Sequence, residues 1–130
     1  ICLIENRITE MVYTICIGSN EHRKDNLALA RQRLSELFPD IRFSAEADTK
    51  PLFFRRQALF TNQVARFISD YDAAEVILRL KNIEREAGRT PEEKEREIVR
   101  LDIDLLACDG KVYKPEDWKR DYIVRGLKEL

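Results

Sequence analysis

Ile98-Val99-Arg100-Leu101-Asp102-Ile103-Asp104-Leu105-Leu106-Ala107-Cys108 decides how this chain is read. Read as a strand, it sends Val99, Leu101, Ile103 and Leu105 to one face and Arg100, Asp102 and Asp104 to the other. Two carboxylates at i and i+2 lie ~7 Å apart at their Cα atoms. Their side chains can converge on one or two Mg2+ ions, hard cations that carboxylates share with phosphates. The same pattern fits a solvated face of an antiparallel sheet, where Asp is simply the outward residue. Asp is nevertheless depleted in strands, and like charges at neighbouring same-face positions repel unless something positive sits between them.

Outward from this stretch, the chain reads as alternating strands and helices. Val12–Ser19 (VYTICIGS) is apolar on both faces, as a covered strand is, and Gly18-Ser19-Asn20 ends it. Leu27, Ala30, Leu34, Leu37 and Phe38 recur at helical spacing over 26–38, and Pro39-Asp40 stops that helix. Ile41, Phe43 and Ala45 alternate as a second strand, and 48–57 reads as a loop. Ala58–Ile68 is a third strand with Phe60, Asn62, Val64, Arg66 and Ile68 on one face. Ser69-Asp70-Tyr71-Asp72 then caps a helix whose buried stripe is Val76, Ile77, Leu80, Ile83 and Ala87, with Gly88 as its stop. Thr90-Pro91-Glu92-Glu93 has the form of a helix start with a capping box. After the fourth strand, Asp109-Gly110 is a turn, Pro115-Glu116-Asp117 another helix start, and Tyr122, Ile123, Leu127 and Leu130 a last helical stripe. The order βαββαβα predicts an α+β ferredoxin-like sandwich: an antiparallel four-stranded sheet, helices packed mainly on one face, the other free for a ligand.

Composition limits the function classes. The 130 residues carry 23 Lys plus Arg against 24 Asp plus Glu, a net charge of −1, which argues against coating nucleic acid by bulk charge. One His excludes zinc sites that need two or more, and His22 in a polar loop reads as exposed and non-catalytic. Cys2, Cys16 and Cys108 form no close-spaced pair, and the latter two read as reduced core residues. No apolar run reaches the ~20 residues of a membrane span. The expectation is a cytoplasmic protein with residues 1–10 as an N-terminal extension, Met11 as a candidate start, and one domain over 11–130. A monomer is expected, with no nucleic-acid or membrane partner.

Other residues point to chemistry near the acid pair. An amide such as Asn62 can read the donor and acceptor edge of a planar heterocycle, and an aromatic ring such as Phe60 can stack on its plane. Plain core is the competing reading for Phe60. Arg89 follows Gly88 at a helix end, and Lys119 and Arg120 follow Trp118. Arginines around an acidic strand can hold polyphosphate oxygens, though single arginines are usually solvated surface. No GxxxxGK[ST] and no GxGxxG occurs, so nucleotide binding here uses no glycine-rich cradle.

Together these residues resemble the 6-hydroxymethyl-7,8-dihydropterin pyrophosphokinase family of the folate pathway, from about Val12 to the C-terminus. Ile17-Gly18-Ser19-Asn20 with Asn26-Leu27-Ala28 resembles its start, and Ser44 through Thr49 and Pro51 its S-x-x-x-T-x-P segment. Phe60-Thr61-Asn62, Ile83-Glu84 with Gly88-Arg89, Leu101-Asp102-Ile103-Asp104-Leu105 with Asp109-Gly110, and Arg120-x-Tyr122 follow in the family's order. Two departures stand out. Val99 sits where the family carries an Arg three before the first Asp, the nearest being Arg100. The family's P-H-P segment is missing, leaving Lys114-Pro115.

The resemblance implies transfer of the β,γ-pyrophosphoryl group of ATP to the pterin hydroxymethyl oxygen. It implies Asp102 and Asp104 as ligands of two Mg2+ ions, and Thr49, Phe60, Asn62 and Tyr122 as the pterin site, with Phe60 and Tyr122 sandwiching the ring. It assigns Arg89, Arg100 and Arg120 to ATP phosphates, with Arg89 and Arg100 counted beside the aspartates as catalytic. Segments 48–57 and 88–96 would close over the site. Two alternatives remain open: a diverged homologue that binds pterin or nucleotide with little or no transfer, and a ferredoxin-like binding module without chemistry.

Overall fold

A computed structural model describes residues 10–52 and 54–130, so Cys2 and nearly all of the expected extension at 1–10 lie outside the described residues. β1 (Met11–Ser19) runs through the middle of the sheet, as a strand apolar on both faces should. Tyr13, Ile15 and Ile17 are fully buried on one of its faces. β4 (Phe60–Ser69) pairs antiparallel with one side of β1, and β5 (Asp102–Cys108) with the other.

The sheet has six strands among the described residues, not four. β2 (Arg42–Phe43) and β3 (Ala47–Thr49) both pair with the free edge of β4, and β6 (Lys111–Val112) pairs with β5. The order is β2-β4-β1-β5-β6, and every pairing is antiparallel. The added strands are two or three residues long, too short to show a period of two. β3 takes up Asp48 and Thr49 from the segment expected to be a loop; the Asp48 carboxylate accepts from the Thr61 hydroxyl at 2.6 Å and pairs with Arg23 at 3.3 Å.

α1 (Arg23–Leu37) and α2 (Ala73–Glu86) cover one face of the sheet. Leu27, Ala30 and Leu34 of the first, and Val76, Leu80 and Ile83 of the second, bury against β1, β4 and β5. A fully buried aliphatic side chain contributes about 1.5–3 kcal/mol, so this stripe carries much of the fold. Asp72 caps α2, its carboxylate accepting from the Glu75 backbone at 2.8 Å. Ile77, expected in the buried stripe, is 36% exposed, because the helix turns that side toward a cavity.

The opposite face is not left bare. The short α3 (Pro115–Trp118) and α4 (Asp121–Lys128) cross it and form a second core from Val64, Leu106 and Ile123. The register between β1 and β5 shifts between Thr14 and Ile15. Leu105 and Leu106 serve the first and second cores by ordinary alternation, and the bulge then shifts the phase of β5 so that Cys108, opposite Tyr13, returns to the first core. Gly126 brings α4 close to the sheet: a Cβ there would lie 2.7 Å from Val64 Cγ2.

β5 begins at Asp102, four residues later than the apolar run suggests. Val99 is held elsewhere: its N–H donates to Asn20 Oδ1 at 2.7 Å and its carbonyl accepts from the Asn20 N–H at 2.9 Å. The alternation therefore does not extend back to Arg100. Pro91–Lys94 forms a single 3-10 turn, with Glu93 Oε1 accepting from the Thr90 N–H at 3.4 Å. Among the described residues, no helix is long and apolar enough to cross a membrane.

Candidate active site

The second face of the sheet presents a row of residues set by strand register. Gly18 of β1 lies opposite Asn62 of β4 on one side and Asp102 of β5 on the other. One residue pair further along, Cys16 faces Val64 and Asp104. Gly18 leaves the centre of the row open, since a Cβ there would lie 3.3 Å from Asn62 Oδ1. Around that opening is a cavity of about 270 Å³, lined by Gly18, Thr49, Phe60, Asn62, Tyr122 and the two aspartates, among others.

Each wall of this cavity is fixed by a different element. Asn62 is buried, and its Nδ2 donates to Thr49 Oγ1 of β3 at 2.8 Å. Phe60 makes an edge contact with Phe54, ring centroids 5.5 Å apart. Arg120 and Tyr122 enter from the start of α4, and Arg120 Nε pairs with Asp117 at 3.0 Å. Burial raises the Tyr122 hydroxyl to about 12, so it stays a neutral hydrogen-bonding phenol. The residues expected to hold a pterin (Thr49, Phe60, Asn62 and Tyr122) thus line one cavity. Arg120, expected on ATP phosphates, lines that same small cavity.

A larger cavity, about 1170 Å³, opens on the other side of the acid pair. Its walls are the C-terminal half of α2, the segment from Arg89 to Val99, the tip at Tyr113-Lys114, and Phe54. Lys81, Arg85, Arg89, Lys94 and Lys114 bring positive charge to it. Among the described residues, the two cavities share Phe54, Asp102 and Asp104.

The acid pair is held asymmetrically. Arg89 donates to Asp102 Oδ1 at 2.9 Å and also pairs with Glu84 at 3.2 Å. Glu84 is buried on α2, and its second oxygen accepts from the Ile103 N–H at 2.8 Å. Burial raises the Glu84 carboxyl above its ordinary value, while the Ile103 bond opposes that shift. Asp104 is pushed up to about 7, first by burial and then by the neighbouring Asp102 charge. Two carboxylates in this position share a proton or take a cation. Arg100, by contrast, lines neither cavity; its Nε pairs with Glu93 at 2.7 Å.

Among the described residues, no group of three or more His, Cys, Asp or Glu is placed to hold a metal ion. The pair Asp102 and Asp104 still suits Mg2+, which commonly takes one or two carboxylates and completes its shell with water and substrate phosphates. A raised carboxyl beside a like charge is the electrostatic signature such an ion relieves. Glu84 is the main residue of the site whose role sequence reading left unassigned. The signal was a charged side chain four residues after Leu80, on the helix's buried stripe.

The description of the family 7,8-dihydro-6-hydroxymethylpterin-pyrophosphokinase matches residues 14–130. No curated protein matches the chain. Among solved structures, a "De novo designed protein Foldit4" aligns at 16% identity with a TM-score of 0.36, covering 76% of this chain and 98% of that one, a likeness too loose to bear on fold or activity.

Proposed function

The chain belongs to the 7,8-dihydro-6-hydroxymethylpterin-pyrophosphokinase family, a family of ATP-dependent diphosphotransferases in folate biosynthesis, and from that premise we propose that it transfers pyrophosphate from ATP to 6-hydroxymethyl-7,8-dihydropterin with Mg2+. The observation that carries the reading is the meeting of two cavities on one acid pair. The smaller suits a flat heterocycle held by Asn62 and by the Phe60 and Tyr122 rings. The larger suits a nucleotide, with its polyphosphate running over Arg89, Lys94 and Lys114 toward the aspartates.

In this arrangement the pterin hydroxymethyl oxygen attacks the β-phosphorus of ATP. The bond from that phosphorus to the oxygen bridging it to the α-phosphate breaks, AMP leaves, and the hydroxyl proton passes to solvent. Asp102 and Asp104 would hold Mg2+, two ions by the family's pattern, which supplies charge neutralisation on the phosphate oxygens and acidifies the hydroxyl. The chain's own contribution is positioning. Gly18 leaves room for the ring, Asn62 sets its orientation, and Arg89, buttressed by Glu84, fixes Asp102. Transfer of this kind needs little covalent help from the protein beyond alignment and charge. The central order β2-β4-β1-β5 supports reading the scaffold over 11–130 as one ferredoxin-like domain.

The test is incubation with Mg-ATP and the hydroxymethyl dihydropterin, followed by nucleotide analysis. AMP in step with pterin pyrophosphate is the expected outcome. ADP would make it an ordinary kinase, and tight pterin binding with no product would leave a diverged binding homologue.

A further inference from the structure

We propose that Glu97 is a positioning residue that joins the two walls of the larger cavity, so that the segment at Phe54–Arg56 and the segment at Glu97–Val99 hold the nucleotide space as one unit. The proposal rests on the reading of that cavity as the nucleotide site.

The starting point is the backbone. After the 3-10 turn, the Ile98 N–H donates to the Glu93 carbonyl at 3.0 Å and the Glu97 N–H to the Lys94 carbonyl at 3.0 Å. This pair of bonds is the Schellman ending of a helical turn. Its residue at positive φ is usually Gly, because a side chain there meets its own backbone. Here the position is Glu97, at φ 57°. A glutamate in that conformation needs a compensating contact, and the structure contains one.

The Glu97 carboxylate accepts from the backbone N–H of Arg55 at 3.0 Å to each oxygen, and from that of Arg56 at 3.3 Å. Its side chain is only 18% exposed although its ion-pair partner Arg55 is 92% exposed. The carboxylate therefore works chiefly on backbone groups, as a cap for a turn on a different segment. Further bonds complete the join. Asn20 Nδ2 donates to the Glu97 carbonyl at 2.9 Å, and Arg56 reaches the Asn20 carbonyl at 3.3 Å and Glu21 at 3.2 Å. The end of β1 thus serves as a common anchor for both segments. Phe54, Glu97, Ile98 and Val99 all line the larger cavity, so the joint fixes the distance between its walls.

The test uses the full chain with Glu97→Ala, Glu97→Gln and Glu97→Gly, each checked for an intact fold by circular dichroism. Without ligand, amide exchange at Arg55 and Arg56 should accelerate about tenfold or more in the Ala and Gly variants, together with residues 97–99, and trypsin should cut sooner after Arg55 and Arg56. The Gly variant suits the backbone yet should behave like Ala, because the cap is lost. Gln, which retains an acceptor oxygen, should lie between. A non-hydrolysable α,β-methylene ATP should bind about fivefold or more weakly to the Ala and Gly variants, with a clearly smaller loss of pterin affinity, because among the described residues Phe54 is the one freed residue that also borders the pterin cavity. Unchanged exchange at either wall, or equal losses for nucleotide and pterin, overturns the proposal. A wild-type chain that binds no nucleotide overturns the functional reading instead, and the coupling of the walls then stands or falls on exchange alone.

Discussion

Asp104 carries the clearest consequence at the scale of single residues. Its carboxyl titrates near 7 in the folded chain against an ordinary value of 3.8. Between those two pH values the folded chain holds a proton that the unfolded chain has released. Stability from this source is therefore fully present below about pH 4 and is lost as pH rises through about 7. We expect the metal-free protein to lose up to about 4 kcal/mol between pH 4 and 8 by this route. Asp104→Asn should flatten that part of the profile, and urea midpoints of both chains across the range provide the check; parallel curves would show that the pair does not share a proton. Asp102→Ala should leave the fold intact, because Arg89 retains Glu84, while transfer falls about a hundredfold or more. The acid pair was legible because alternation is a strong local signal. That the strand stops short of Arg100 was not legible, because the contact that ends the alternation, Asn20 on Val99, comes from 79 residues away and leaves no mark on the local pattern. Glu84 stood in a recognisable motif, but its burial and its bond to Ile103 are tertiary facts.

At the scale of elements, the long strands and the two long helices follow from period and capping, and they form within a few residues of the expected positions. The short pieces do not. β3 and β6 exist because β4 and β5 offer free edges, not because of any preference in three or two residues. The placement of α3 and α4 has no local signal, since amphipathicity tells that a helix has an apolar side but not which face of a sheet it will cover. Gly126 makes their placement tight. Gly126→Ala should force the methyl against Val64 and Ser44, lift α4, and cost about 1–3 kcal/mol. Because Arg120 and Tyr122 ride on the same helix, pterin affinity should fall more than nucleotide affinity. Thermal unfolding and two binding isotherms test this, and a stable variant with unaltered pterin binding would mean that α4 does not set that wall.

The whole molecule separates its tasks by layer. One face of the sheet is given to packing, with α1, α2 and the first core holding the strands in register. The other carries a small second core and the smaller cavity, while the larger cavity reaches the acid pair from the α2 side. Charge follows the same division. The overall balance is near neutral, yet the larger cavity concentrates cations around a half-buried acid pair, as polyphosphate chemistry requires. Composition could exclude bulk electrostatic binding, but only the fold shows where opposite charges are gathered.

The row Asn62–Gly18–Asp102 also acts as a gauge. Its ends sit on strands two places apart, so backbone hydrogen bonding fixes their separation at about 9–10 Å whatever the side chains around them do. Under the proposed function, the ring gripped at Asn62 lies along this row and its one-carbon arm is directed toward the acids. An acceptor whose arm is longer by one methylene would overrun the mark, and one with its hydroxyl directly on the ring would fall short. On that function, discrimination by reach would be set in the stiffest part of the molecule, and point changes in the surrounding loops should alter how tightly an acceptor is held without altering which length is accepted.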